Sequence, residues 1–224
     1  MAAVELGALL DDLLGGLPAT GAPFPGRATL LENGGVAVAD LPGPQSVVQF
    51  TQKGMAFDNT DYFTMVILNE VLGGGRFGAR LMTEVREKRG LSYGISTGLA
   101  SLDQAEWLVG QFESANGKVA EAIEVVRAEW AKIAAGGVTA EELDTAKTFL
   151  TGSYPLRFDG NAQIAGILVG MQMMGLAPDY PATRNAKVEA VTLADVRRVA
   201  AERLVPDDLF FVVVGQPEGV VASE

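Results

Sequence analysis

The chain has 224 residues, 48% of them hydrophobic, and a net charge of −11; this leaves room for one large or two small globular domains with a packed core, and an acidic surface suits neither nucleic acid nor an anionic membrane. It contains no cysteine and no histidine, which excludes disulfides, Ser-His-Asp and Cys-His catalysis, and the usual ligands of zinc. Only an all-carboxylate metal site stays possible, and no calcium-loop spacing supports one.

The first stretch, VELGALLDDLLGGL, carries apolar residues at helical spacing and stops at Gly15-Gly16, so a short amphipathic helix is predicted. Glu5, Asp11 and Asp12 and the lack of a basic segment make it a poor signal peptide. No apolar run reaches the ~18 residues of a membrane-spanning helix. Cytoplasm and periplasm both stay open as compartments. Pro18 to Arg27 is rich in Pro, Gly and Ala and reads as a linker. The expected division is therefore an N-terminal helix and linker over 1–27, one domain over 28–217 and a tail over 218–224.

GGVAVADLP and QSVVQFTQKGMAF are strand-like, separated by Pro42-Gly43-Pro44. A helix apolar on most sides follows, with capping candidates Asp58, Asn59 and Thr60, and closes at Gly73. A second helix is predicted from Ala79 to about Lys88 with Leu81 and Val85 on one face. GLSYGISTGLA and AEWLVGQFES alternate as paired strands around a turn near Ser101 to Asp103.

The clearest helix is NGKVAEAIEVVRAEWAKIAAGG, striped by Val119, Ile123, Val126, Trp130 and Ile133. Thr139 to Glu142 is a capping box opening the next helix. A further helix begins at Asp159-Gly160, with Asp159 as its cap, and is apolar almost all round; its Met171, Met173 and Met174 read as core filler. Thr192 to Asp195 caps a last helix reaching Leu204, and DDLFFVVVG ends the domain as an apolar, central strand. Strands come in runs and helices in runs, which points to an α+β fold with a mostly antiparallel sheet.

The stretch LGGGRFGARL holds Gly73, Gly75 and Gly78 in the order G-x-G-x-x-G. A dinucleotide loop needs a strand before these glycines and a helix after them. Here a helix precedes them, and no Gly-Lys-Ser/Thr follows for a P-loop. The glycines are better read as a corner between two helices. Beyond it, Arg86 lies near the end of the second helix and Tyr93 seven residues on, past Gly90. A guanidinium and a phenol brought to one sheet edge are donors for a peptide carbonyl or an oxyanion; a surface Arg and a half-buried strand Tyr are also ordinary structure.

From LGGGRFGARLMTEVREKRGLSYGISTGL, together with NTDYFTMVILNEV before it and VTAEELDTAKTFLTGSYPLRFD and VTLADVRRVAAERLVPDDLFFVVVG after it, the chain resembles the C-terminal half of the pitrilysin-type, mitochondrial-processing-peptidase-like zinc metallopeptidases. The resemblance spans about residues 5 to 217. It implies one half of a clam shell, its sheet covered by helices on one face. It also implies a partner half, as a separate chain or an upstream segment, that carries zinc on an H-x-x-E-H motif. On that resemblance Tyr93 donates to the scissile carbonyl and its oxyanion, and Arg86 holds a neighbouring carbonyl of the bound peptide. No cofactor is expected in this chain. The family often has Ser where this chain has Ala79. The isolated half is expected to be inactive, to bind no zinc stoichiometrically, and to be open to homodimer pairing through its cleft face. The same resemblance allows a non-catalytic scaffold of the same fold, like core subunits of respiratory complexes; a third option is an acidic peptide-binding module acting alone.

Overall fold

The computed structural model describes residues 3–30 and 34–223. Helix α1 (Ala3–Leu14) forms where the apolar spacing places it and buries none of its side chains. The linker then runs to the sheet, where the Ala28 N–H donates to the Gln104 carbonyl at 2.8 Å and Arg27 pairs with Glu106.

Five strands make one sheet: β1 (Gly35–Asp40), β2 (Gln45–Lys53), β3 (Ile95–Ser101), β4 (Glu106–Ala115) and β5 (Phe210–Gly215), in the order β1-β5-β2-β4-β3. Every neighbouring pair is antiparallel except β1 with β5, which run parallel. The C-terminal apolar strand is thus interior, inserted between the first two strands of the chain. This is a long-range pairing that no local signal announces.

In β2, and in β4 from Leu108 onward, burial alternates along the strand, as period-2 side chains require. Ser46, Val48, Phe50 and Gln52 point to the helices; Val47, Gln49 and Thr51 point away. The helices α2 (Tyr62–Gly73), α3 (Val119–Ala134), α4 (Ala140–Ser153), α5 (Asn161–Met173), α6 (Tyr180–Glu189) and α7 (Leu193–Arg203) complete the fold. The core lies between the sheet and these helices. Phe50 sits at its centre, with ring centroids of Phe211, Trp130 and Phe112 at 5.4, 5.8 and 6.3 Å. The predicted Trp130 stripe is the buried face of α3.

Both capping boxes form. The Thr139 hydroxyl accepts from the Glu142 N–H, and Thr192 does the same for Asp195, with the reciprocal bonds in place. Two expected caps do not. Asp58, Asn59 and Thr60 all precede the first turn of α2; the Asn59 side chain instead accepts from the Asp61 N–H at 2.8 Å. Gly160 rather than Asp159 precedes α5, and no side chain caps it.

The largest correction concerns α5. Its all-round apolar sequence predicts a core helix, yet only Met171 is buried, and Met173 is 79% exposed. Only Ile164, Ile167, Gly170 and Met171 are even partly covered, at helical spacing on one face, and the last three border a cavity shared with residues of α2, α4 and α6. Composition alone cannot tell an enclosed helix from an apolar one lying against the outside.

Candidate functional site

The glycine corner is the first element of the site. After α2 ends, Gly75 takes φ 87° and turns the chain out, a left-handed conformation that costs an L-residue about 1–2 kcal/mol. The chain re-enters at Ala79, which is fully buried, and winds into the short helix Met82–Glu87. Leu81 and Val85 share its buried face, both without solvent exposure. The helix is not a plain α-helix: its turns are π-wide, and the Lys88 N–H reaches back to the Thr83 carbonyl at 2.9 Å. A π-turn inserts one extra residue and rotates the residues beyond it around the helix axis, a shift that periodicity does not reveal.

Two arginines fasten this helix at its ends. Arg80 grips Glu142 with both arms, Nε to Oε1 at 2.6 Å and Nη2 to Oε2 at 2.8 Å, and so ties the helix start to the N-terminus of α4. At the other end Glu84 receives Lys88 at 2.6 Å and Arg89 at 2.5 Å. These two hydrogen-bonded cations hold the Glu84 carboxyl at about 2, well below its ordinary value of 4.5. A depressed carboxylate stabilises the fold above its unfolded value and ceases to do so as pH falls toward the folded one. Glu84→Gln is therefore expected to remove part of the stability that the native chain loses between about pH 5 and 2. The effect should stay below about 1 kcal/mol because the cluster faces solvent. Urea midpoints at pH 6 and pH 3 for both chains check it: the gap between them should be smaller in the variant.

A second turn then delivers Tyr93. Gly90 has φ 60°; its N–H bonds the Arg86 carbonyl at 3.0 Å and the next N–H, of Leu91, bonds Val85 at 2.8 Å. Leu91 is buried, and its carbonyl accepts from the buried Ser114 hydroxyl at 2.6 Å. Lys118 holds the Gly90 carbonyl at 2.9 Å. Ser92 closes a tight turn on Gly94, donating to its carbonyl at 2.7 Å. Between these fixed points Tyr93 turns outward and is 89% exposed. Strand β3 begins two residues later than Tyr93, at Ile95, so the predicted strand start at Tyr93 becomes an anchored loop. Gly90→Ala is expected to cost about 1–2 kcal/mol, since the left-handed backbone must be kept for the Leu91 anchor to form; thermal unfolding measures it.

Arg86 and Tyr93 come together as expected, though not by a hydrogen bond. The Arg86 Cζ lies 4.9 Å from the Tyr93 ring centroid and 4.8 Å from that of Phe77. The sequence reading does not single out Phe77; its only signal is an aromatic inside a glycine corner. Arg86 has no carboxylate or carbonyl acceptor among the described residues, whereas Arg76, Arg80 and Arg89 are bound to Glu70, Glu142 and Glu84.

Tyr93 stands at the rim of the sheet face that carries no helices. There a groove of about 470 Å³ is lined by Val47, Met82, Tyr93, Ser96, Gln111 and Glu113 among others. It adjoins a second one of about 490 Å³ running over Gln49, Thr51, Gly98, Val109 and Val212. Val47, Val109 and Val212 remain 45%, 38% and 41% exposed there. A sheet face studded with half-exposed valines and amides, edged by a free guanidinium and a phenol, is suited to an extended chain or a second protein surface.

The fold is thus a one-sided α+β layer with a cation–aromatic corner at the rim of its open face. The profile of the peptidase M16 inactive domain matches residues 2–150, and the chain belongs to that family. A solved peptidase M16 inactive domain from Pseudomonas fluorescens superposes with a TM-score of 0.83 at 27% identity, covering 100% of this chain and 52% of that one. Among curated proteins, an uncharacterized zinc protease of Streptomyces coelicolor is 29% identical over 187 residues, 82% of this chain and 40% of its own. A non-peptidase homolog from Helicobacter pylori is 27% identical over 144 residues, 64% of this chain and 33% of its own. The chain thus spans a third to about half of the length of these three proteins.

Proposed function

We propose that this chain is the zinc-free half of a bipartite zinc metallopeptidase, binding an extended peptide and lending Arg86 and Tyr93 to an active site whose metal lies in the other half. The observation that carries the reading is the Arg86 guanidinium, held by the rings of Phe77 and Tyr93 and left without an acceptor among the described residues. The chain has no histidine or cysteine to ligate zinc. Among the described residues no cluster of three or more carboxylates stands in their place. The metal therefore belongs, in this reading, to a half bearing H-x-x-E-H, either a partner chain or a segment of the same product.

That half supplies a metal-activated water. The residues of this chain do the rest. The Tyr93 hydroxyl donates to the scissile carbonyl oxygen as negative charge develops there, and Arg86 donates to a neighbouring carbonyl and fixes the peptide's register. The exposed valines and glutamines of the open face line the cleft floor. Reconstitution with a zinc-bearing half, and comparison of peptide cleavage by the native chain, Arg86→Ala and Tyr93→Phe, tests the reading. Unchanged kcat/KM in both variants would overturn it.

A second reading, a non-catalytic scaffold of the same fold, draws support from the non-peptidase relative. It predicts that the reconstituted pair cleaves nothing, with or without Arg86 and Tyr93.

A further inference from the structure

Four arginines lie between residues 76 and 89, and they are held in two different ways. Arg76, Arg80 and Arg89 are each fastened by a carboxylate. A carboxylate neutralises a guanidinium and occupies its N–H donors. Arg86 is fastened by two rings instead, at 4.8 and 4.9 Å from its Cζ. A ring face attracts the cation without taking any N–H donor. Held in this way, Arg86 has no acceptor for its donors among the described residues.

One of the two rings, Tyr93, already has a role in the peptide-clamp reading. The other does not. Phe77 is 64% exposed and takes no part in the hydrophobic core. Other large apolar side chains are as exposed, Phe24 and Leu156 among them; what sets Phe77 apart is the guanidinium against its ring. Its place is fixed by the corner itself: the Gly75 turn on one side, and on the other the Ala79 N–H bonded to the Arg76 carbonyl at 3.1 Å. That corner carries Phe77 to the guanidinium across nine positions of sequence.

We propose that Phe77 is a positioning residue for Arg86: with Tyr93 it holds the guanidinium at the rim of the open sheet while leaving its N–H donors free for a substrate carbonyl. This rests on the clamp reading above and adds a residue to it. A cation–π contact at an exposed site is worth about 0.5–1 kcal/mol, or roughly a 2- to 5-fold change in an equilibrium. Arg86 grips the peptide before and during reaction alike, so loss of its support should appear in KM rather than kcat.

The test has two arms. In the isolated chain, NMR reads the ring-current shift of the Arg86 side-chain protons. Phe77→Leu should move them toward the values of a free arginine, and Phe77→Tyr should not. In the chain reconstituted with a zinc-bearing half, Phe77→Leu should raise KM about 2- to 5-fold with kcat unchanged, and Phe77→Tyr should restore it. An unmoved Arg86 resonance in Phe77→Leu overturns the contact. A shifted resonance with unchanged KM, while Arg86→Ala still raises KM, overturns the positioning role and leaves the clamp standing. A fall in kcat, or no rescue by Phe77→Tyr, marks a merely structural residue and also overturns it. If Arg86→Ala itself changes nothing, the clamp reading fails and this inference with it.

Discussion

Tyr93→Phe, in the chain reconstituted with a zinc-bearing half, is expected to lower kcat about 10²–10³-fold, the effect of removing one oxyanion donor. The same substitution should leave the melting temperature unchanged. Tyr93 is 89% exposed, and its loop is held by neighbours rather than by its own side chain: Leu91 below, Ser92 across to Gly94, Lys118 on the Gly90 carbonyl. Removing one exposed hydroxyl breaks none of these. Arg86→Ala should act differently. A hydrogen bond to a charged group contributes about 1.5–3 kcal/mol, so kcat/KM should fall about 10- to 100-fold, largely through KM. Steady-state kinetics of the two variants, with circular dichroism melts alongside, separates loss of chemistry from loss of fold. A Tyr93→Phe enzyme with native kcat would remove the phenol from the mechanism.

Trp130→Ala carries the largest expected effect on stability. Trp130 is fully buried, meets Phe50 edge-on at 5.8 Å and 81°, and donates its indole N–H to the Gln52 side-chain oxygen at 2.5 Å. Gln52 is itself buried and spends its amide on the Arg203 carbonyl at the end of α7. Gln52 therefore joins strand β2 to α7 and, through Trp130, to α3. Deleting the Trp130 side chain opens a large cavity, at about 3–5 kcal/mol, and orphans a buried amide oxygen besides. For a domain of this size that is roughly 6–20 °C in Tm. Trp130→Phe keeps most of the ring and loses only the donor, so about 1–3 kcal/mol is expected. Scanning calorimetry of the two variants checks the order. A Phe variant as unstable as the Ala variant would mean that the hydrogen bond, not the packing, dominates.

All three residues, Trp130, Arg86 and Tyr93, were reachable from the sequence, for different reasons. Trp130 lies on an apolar stripe of period 3.6, and such a stripe must face a core wherever the helix ends up. Arg86 and Tyr93 were reachable through the likeness of the motif around them. The spacing of seven residues does not by itself bring them together; the π-wide helix and the Gly90 turn do that. Phe77 was out of reach because its one partner lies across a turn whose geometry is not local.

The sequence by itself determined whatever rests on neighbours along the chain. The two capping boxes, the stripe of α3, the alternation in β2 and β4 and the corner at the glycines all depend on residues within a few positions of one another. The zero count of histidine and cysteine settled that no common zinc ligand is present. Tertiary structure decided the features that depend on distant partners. β5 inserts between β1 and β2 and pairs parallel with β1, although some 170 residues separate them. α5, apolar almost all round, stays exposed over most of its length with only Met171 buried, a placement that its composition does not reveal. And Arg86 is met by rings and, among the described residues, by no carboxylate, an arrangement made by contact in space that no periodicity encodes.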